Sequence, residues 1–239
     1  IVDFSDLNIH LMGYSIPFSG RLHIDELKKH LFFIKEQPDV TPYVTSYYEK
    51  RWGFSLPYNT FLKMKDDHYL VHIDSQLEKD GVLDFADIVI KGRSDKEILL
   101  STYICHPSMA NNELSGIVVA ASLAKWLMSI TDLKYTYRIV FVPETIGSIA
   151  YLNRHLSHLK ENVIAGYVIT CVGDERCYSY IPSRKGNTLS DKVATYALDE
   201  IDEKVKIYSW LDRGSDERQY CAPGVDLPIA SVTRSKYGE

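Results

Sequence analysis

The stretch ILLSTYICHPSMANNELSGIVVAASLAKWLM (98–128) decides the fold, because it passes from a strand through a polar loop into a helix. Its first part, residues 98–105, is a short apolar run, which predicts a buried strand. Pro107 stops that strand, and a helix is predicted over 113–128. Gly116 near the start of this helix allows close contact with a sheet. A strand, a polar loop and a helix in this order are typical of a sheet covered by helices.

The same alternation continues along the rest of the chain. Further strands and helices are predicted in the order strand 137–143, helix 147–159, strands 163–172 and 177–182, helix 189–201, and strands 205–210 and 228–232. Strands that alternate with helices in this way predict an α/β fold with a largely parallel sheet between helices.

Residues 15–92 have a different sequence pattern, which predicts a small β-rich subdomain. Its short apolar runs are broken by Gly, Pro and Asp, and only residues 23–34 show the periodicity of a helix. Residues 1–14 are expected to pack against the α/β unit, so that 15–92 form an insertion into a domain made of 1–14 and 93–239. Both ends of the chain are expected to be cut from a longer protein, since Ile1 is not an initiator methionine.

Composition argues against several classes of function. With 239 residues, of which 45% are hydrophobic and 25% charged, the chain can form one large core, or one core and a small second unit. The net charge of −5 argues against nucleic-acid binding, and no apolar run approaches the roughly 20 residues that span a bilayer. Four cysteines without a disulfide-scaffold spacing predict a cytoplasmic protein. Cys105 and Cys171 lie in strand-like runs and are expected to be buried.

Three predicted strands end at residues that suit metal binding or the activation of water. These residues are His106, Glu144 and Asp174. The carboxyl ends of neighbouring strands meet at one crevice, where a histidine and two carboxylates could hold a divalent cation with a water molecule. The alternatives are a core histidine, a helix-start carboxylate and a solvated turn. We expect the three side chains to face each other across one crevice, which predicts a metal-dependent hydrolase.

Two polar loops contain candidate substrate-binding residues. Arg184 follows the strand predicted at 177–182, while Asp216 and Arg218 lie in a dense polar loop before the last strand. A guanidinium at Arg184 could bind a substrate carboxylate. A solvent-exposed charged loop is the alternative explanation for each of these residues.

Four segments together resemble a known family: STYICHPSMANNELSG (101–116), FVPETIGSIAYL (141–152), TCVGD (170–174) and RGSDERQYCAPGVDLP (213–228). They are similar to bacterial aminopeptidase-like-domain proteins, distant relatives of the di-zinc aminopeptidases and the glutaminyl cyclases. The resemblance covers nearly the whole chain and implies a three-layer α/β/α sandwich with a mostly parallel, mixed sheet and a small β-rich insertion. It also implies zinc as the cofactor and a link to surface-polysaccharide biosynthesis.

The resemblance implies roles for individual residues. His106 matches a zinc ligand at the end of a strand, and Glu144 matches the catalytic general base or a ligand. Asp174, in preference to Cys171, matches a carboxylate ligand after a later strand. The last histidine ligand of the relatives is expected beyond Glu239.

The number of zinc ions depends on Asn112 and Glu113. Asn112 occupies the place of a carboxylate that bridges two metals in the relatives, and a neutral amide lacks the charge that offsets the repulsion between two dications. Either Glu113 substitutes as a ligand, or the site holds one metal, or it binds none tightly.

Three functions remain open at this point. The first is a zinc-dependent aminopeptidase-like hydrolase that acts on a small peptide, aminoacyl or amino-sugar substrate. The second is a catalytically weakened relative that binds such a molecule or a glycan precursor. The third is a structural component of a surface-polysaccharide pathway. No nucleic-acid or membrane partner is expected, and a homo-oligomer is left open.

Overall fold

A computed structural model describes residues 2–106, 109–201 and 205–236. The chain forms two compact units, Ile1–Gly81 and Val82–Glu239. The first unit differs from the predicted insertion 15–92, because it also contains residues 1–14 and ends at Gly81. Leu11 forms a bridge to Phe54, and the N–H of Met12 donates to the carbonyl of Gly53. Whether the first unit is an insertion into a larger domain stays a prediction.

The first unit is built from short elements. They are β1 (Phe18–His23), α1 (Ile24–Leu27), β2 (Leu31–Phe32), β3 (Phe54–Ser55), α2 (Tyr58–Phe61) and β4 (His68–Ile73). β1 pairs antiparallel with β4, and β2 pairs parallel with β3. The helix predicted over 23–34 is therefore wrong beyond its first turns, because Leu31 and Phe32 pair with β3. Trp52 lies at the centre of this core, stacked on Phe18 and His30.

The second unit contains the sheet that carries the candidate site. Its elements are β5 (Ala86–Ile90), β6 (Ser94–Tyr103), α3 (Ser115–Met128), β7 (Tyr135–Val142), α4 (Ile146–Asn162), β8 (Val163–Val168), β9 (Tyr178–Ile181), α5 (Leu189–Asp199), β10 (Val205–Ile207), α6 (Glu217–Tyr220) and β11 (Ile229–Thr233). The strand order is β10-β9-β11-β8-β6-β7-β5. The four central strands are parallel to one another. β5 and β9 run antiparallel to their central neighbours.

Helices cover both faces of this sheet. Leu99 and Val140 pack with α4 and α6 on one face. Their neighbours Leu100 and Ile139 pack with α3 on the other, because successive strand side chains point to opposite faces. α5 covers Tyr180 and Ala230 near one end of the sheet. The prediction of an α/β sandwich with a mixed, mostly parallel sheet is confirmed.

α3 lies close to the sheet because its first turn contains Gly116. A Cβ at this position would collide with the carbonyl oxygen of Ile169. The turn Ala110–Leu114 before α3 is π-helical, so α3 itself begins slightly later than the predicted residue 113. This close approach places the start of α3 against Ile169, directly after β8.

Candidate functional site

The candidate site lies at the edge of the sheet where β6, β7, β8 and β11 have their carboxyl ends. His106 follows β6, Glu144 follows β7 and Asp174 follows β8. The structure therefore places all three at the same edge, as expected for residues that end neighbouring parallel strands.

His106 and Glu144 contact each other directly. Nε2 of His106 lies 3.1 Å from Oε2 of Glu144, and Oε1 of Glu144 accepts a hydrogen bond of 3.1 Å from the hydroxyl of Ser215. The two side chains are 15% and 23% exposed, so the pair is shielded yet reachable from water. Hydrogen bonds with Cys105 and Glu144 raise the pKa of His106 to about 10, because both partners favour the imidazolium. A metal ion that binds a ring nitrogen must displace this proton.

Glu113 fastens the loop that carries His106. Its buried carboxylate accepts hydrogen bonds from the backbone N–H groups of Cys105, at 2.8 Å, and His106. Glu113 comes from the π-helical turn, a kind of distortion that is frequent at functional sites. Two hydrogen bonds leave lone pairs free on a carboxylate, so Glu113 can hold the loop and still bind a cation.

Cys105 is part of the site, although the sequence predicted a buried core thiol. β6 ends at Tyr103, sooner than predicted, and Cys105 is exposed. Its Sγ lies 3.3 Å from Nδ1 of His106 and accepts the N–H of Glu144 at 3.3 Å. Within the part of the chain that the structure describes, Cys105, His106 and Glu113 form a set whose ligand atoms all lie within 4.8 Å of one another. In the sequence, the feature that could have indicated this role is the position of Cys105 next to His106.

Asp216 supports the site from inside the protein. It is fully buried, which corrects its prediction as a substrate-binding residue. Oδ1 accepts hydrogen bonds from the N–H of Thr145, at 2.8 Å, and the hydroxyl of Ser148, at 2.9 Å. Thr145 has a φ of 62°, an unfavourable value for a β-branched residue, and its bond to Asp216 helps to hold the turn after Glu144. Burial raises the pKa of Asp216 to about 7.

Asn112 is occupied with contacts between strand ends. Its Oδ1 accepts a hydrogen bond of 2.9 Å from the hydroxyl of Tyr103, and its Nδ2 lies 3.7 Å from Sγ of Cys171. Its carbonyl accepts a hydrogen bond of 2.6 Å from the hydroxyl of Thr170. These contacts tie β6 to the segment after β8 and give Asn112 a structural role; its role as a metal ligand stays a prediction.

Asp174 is held by the surrounding loops. Its carboxylate accepts hydrogen bonds from Asn111, from the N–H of Arg176, and from the N–H and hydroxyl of Ser235. Burial opposes ionisation, but these donors together hold the pKa of Asp174 well below its usual range. The carboxylate is therefore ionised but already satisfied, and Asp174 is not in the ligand set around His106. The prediction that Asp174 binds the same metal is not supported by this geometry.

Of the two predicted arginines, Arg184 lies away from the site, while a substrate-binding role for Arg218 stays a prediction. Arg184 follows β9, which runs antiparallel to β11, so Arg184 lies at the opposite edge of the sheet. There it forms an ion pair with Asp226. Arg218 is exposed on α6. The sequence could not show the direction of β9, because strand composition is the same for both directions.

An open depression lies beside the ends of β8 and β11. Its volume is 620 Å³, and its lining residues are Val172, Asp174, Glu175, Tyr178, Val232, Thr233 and Arg234. The guanidinium of Arg234 lies over the ring of Tyr178, 3.8 Å from its centroid. Charges of both signs therefore line a concave surface at the same edge as His106.

Comparison with known proteins gives the family. A family described as a domain of unknown function (DUF4910) matches residues 11–239. The chain belongs to this family. A protein of Clostridium acetobutylicum, 44% identical over 238 residues, carries a name that describes polysaccharide biosynthesis and an aminopeptidase-like domain. The match covers 100% of this chain and 54% of that protein, so the chain spans about half the length of this relative.

Solved structures confirm the fold. A crystal structure from Clostridium acetobutylicum, described as that of a peptidase, has 43% identity and a TM-score of 0.94 over 99% of this chain and 56% of its own. A zinc aminopeptidase from Bacillus subtilis has 10% identity and a TM-score of 0.60, covering 87% of this chain and 54% of its own. Glutaminyl cyclase from Porphyromonas gingivalis has 14% identity and a TM-score of 0.51, covering 67% of both chains. The aminopeptidase-like resemblance is confirmed.

None of the helices in the described ranges combines the length and the apolarity needed to cross a membrane.

The residues around His106 fit a zinc ion by their chemistry. Imidazole nitrogen, thiolate sulfur and carboxylate oxygen are the three ligand types that zinc takes in proteins, and Cys105, His106 and Glu113 supply one of each. The number of zinc ions stays a prediction, since the side chains of Asn112 and Asp174 have hydrogen-bond partners of their own.

Proposed function

We propose that the second unit is a metal-dependent hydrolase of the aminopeptidase-like class, which cleaves an amide or peptide bond beside His106. The observation that carries the proposal is the contact of 3.1 Å between His106 and Glu144 at the carboxyl edge of the parallel sheet. The aminopeptidase-like name of the relative supports it. Zinc is the proposed metal, with His106 and Glu113 among its ligands.

Glu144 is the proposed general base. Zinc, when bound, would polarise the carbonyl of the substrate and lower the pKa of a water molecule, so that this water can lose a proton and attack the carbonyl. The carboxylate of Glu144 accepts a proton from that water and returns it to the leaving amine. Ser215 and His106 contact its two oxygens, so the carboxylate is oriented before the substrate arrives.

The depression beside β8 and β11 is the proposed place for the rest of the substrate. Glu175 is exposed on its wall, where its carboxylate can bind a free amino group. An amino group close to the cleaved bond is common to small peptides, aminoacyl compounds and amino sugars, which are the substrate classes that we propose. We also propose a link to surface-polysaccharide biosynthesis and a cytoplasmic location. The four cysteines are free thiols, as is usual for cytoplasmic proteins.

The test is the substitution Glu144→Gln in the purified, zinc-loaded protein, assayed with a panel of aminoacyl amides. We expect kcat to fall by about 10²–10⁴-fold with little change in KM, because a general base contributes about that much. Glu161→Gln, an exposed site at the end of α4, is the matched control and should keep full activity. Equal rates for the two variants would refute the proposed role.

A binding protein without turnover is the second candidate function. It is favoured by Asn112, which places a structural amide where the resemblance implies a bridging carboxylate. A binding function predicts that calorimetry detects binding of the same aminoacyl amides. No hydrolysis is then expected at any zinc concentration.

A further inference from the structure

We propose that Cys105 is a thiolate ligand of a single metal ion, together with His106 and Glu113. This inference rests on the proposed function only in that a metal binds beside His106. The ligand set is one sulfur, one nitrogen and one carboxylate, and it serves one ion. No role in metal binding was expected for Cys105 from its position in a strand-like run.

The position of the sulfur supports this assignment. Sγ of Cys105 lies 3.3 Å from Nδ1 of His106 and receives the backbone N–H of Glu144 at 3.3 Å. A hydrogen bond from backbone N–H to sulfur is a typical outer-shell contact of a metal-bound thiolate, because it stabilises the negative charge. Cys105 is exposed, so one side of the cluster stays open. Catalytic zinc sites keep such an open position beside three protein ligands.

Glu113 makes the set rigid. Its carboxylate accepts the N–H groups of both Cys105 and His106, so the two neighbouring residues are fixed by the third member of the set. Preorganised ligands of this kind hold a metal in one geometry. The ion would neutralise a buried carboxylate, since Glu113 is only 4% exposed.

Asn112 and Asp174, which also lie at this edge, have partners of their own. Asn112 contacts Tyr103 and Cys171, and Asp174 contacts Asn111 and Ser235. The ligand atoms of Cys105, His106 and Glu113 lie within 4.8 Å of one another, which is close enough for one shared ion. A thiolate also sets the metal preference, because sulfur favours zinc and cobalt over magnesium and manganese.

The experiment uses Co²⁺ as a spectroscopic probe in the zinc-free protein. A cobalt–thiolate bond gives an intense charge-transfer absorption in the near ultraviolet that nitrogen and oxygen ligands do not give. We expect this band in the wild type at one equivalent of Co²⁺, and its loss in Cys105→Ser with a Zn²⁺ affinity at least about tenfold weaker. Cys177→Ser, a free thiol outside the cluster, is the matched control and should keep the band.

Several outcomes would overturn the inference. They are a wild-type protein that binds Co²⁺ without the band, a band that survives in Cys105→Ser, or a second tight equivalent that depends on Cys105. Alkylation of Cys105 by iodoacetamide at the same rate with and without Zn²⁺ would also overturn it, and would favour a nucleophilic thiol beside His106. Because the first measurement uses the wild type, it does not depend on the folding of a variant.

The same data separate this inference from the proposed function. A protein that shows the band but hydrolyses no aminoacyl amide retains the thiolate ligand and refutes the hydrolase. A protein that hydrolyses these amides with bound metal but shows no band retains the hydrolase and refutes the thiolate ligand.

Discussion

Asp216 shows how burial favours the neutral form of a single carboxyl group. Oδ1 is bonded to Thr145 and Ser148, whereas Oδ2 is buried without a hydrogen-bond partner among the described residues. A proton on Oδ2 costs no existing bond, while a charge there is poorly solvated. The neutral form is therefore preferred, in agreement with the raised pKa of about 7.

The first prediction concerns Asp216→Asn and the pH dependence of stability. The folded-state pKa of about 7 lies above the ordinary value of 3.8, so the folded protein binds this proton more tightly than the unfolded chain. Ionisation then lowers the free energy of unfolding as pH rises from about 4 to about 7, by about 1.4 kcal/mol for each unit of pKa difference. Asp216→Asn removes this loss, so its stability relative to the wild type should increase over that pH window.

Urea unfolding of wild type and Asp216→Asn at pH 4.5, 6 and 8 measures this difference, and the pH values are chosen to bracket the window. Asp132→Asn is the control, because the side chain of Asp132 is 69% exposed. A stability difference between Asp216→Asn and the wild type that is constant across the three pH values would contradict the assignment of a proton to buried Asp216.

At the scale of elements, a buried ionic network ties three strands to a helix. Arg138 of β7 forms a bidentate pair with Glu97 of β6, at 2.7 and 3.0 Å, and also contacts Asp87 of β5. Tyr151 and His158 of α4 complete the network. Burial opposes ionisation of Glu97, but the hydrogen bonds from Arg138 and His158 prevail and lower its pKa. Each charge is thus satisfied only while the elements stay packed.

The second prediction is that Glu97→Gln strongly destabilises the second unit. Removal of buried Glu97 leaves Asp87, which is more exposed, as the carboxylate partner of Arg138. Loss of one partner of a buried pair costs about 3–5 kcal/mol. Arg93→Gln is the control, since the ion pair of Arg93 with Asp132 is exposed and should contribute about 0–1 kcal/mol. Thermal unfolding by circular dichroism measures both. A loss below about 1 kcal/mol for Glu97→Gln would show that the network does not stabilise the packing.

At the scale of the whole molecule, the large sheet and the hydrophobic clusters that cover it lie within the second unit. All seven strands of the large sheet lie between Ala86 and Thr233, and the three hydrophobic clusters that cover its faces come from the same range. A seven-stranded sheet with helices on both faces has the layered core that is usual for an independent domain.

The third prediction is therefore that residues 82–239, expressed alone, fold and unfold cooperatively. A single transition in urea and dispersed amide signals in NMR spectra are expected. Zn²⁺ should raise the unfolding midpoint, because the proposed ligands all lie in this fragment and a ligand that binds only the folded state stabilises it. A gradual, non-cooperative transition would mean that the fragment lacks part of its core.

Sequence alone determined the architecture and one half of the site. Alternation of strands and helices gave the layered α/β fold, because each element must bury one face on its neighbour. The strand-end pattern brought His106 and Glu144 together, since the parallel direction of β6 and β7 puts their ends at one edge. Glu113 was identified from the family resemblance, and the structure places it beside His106.

Tertiary structure alone decided the rest, because the rest depends on strand direction and burial. Antiparallel β9 moved Arg184 to the far edge, and the early end of β6 exposed Cys105 beside His106. Asp216 is buried by the packing of α6 and α4, which no local pattern specifies. Asp174 shows the same limit: its carboxylate follows the correct strand, but hydrogen bonds from Asn111 and Ser235, both distant in sequence, occupy both of its oxygens.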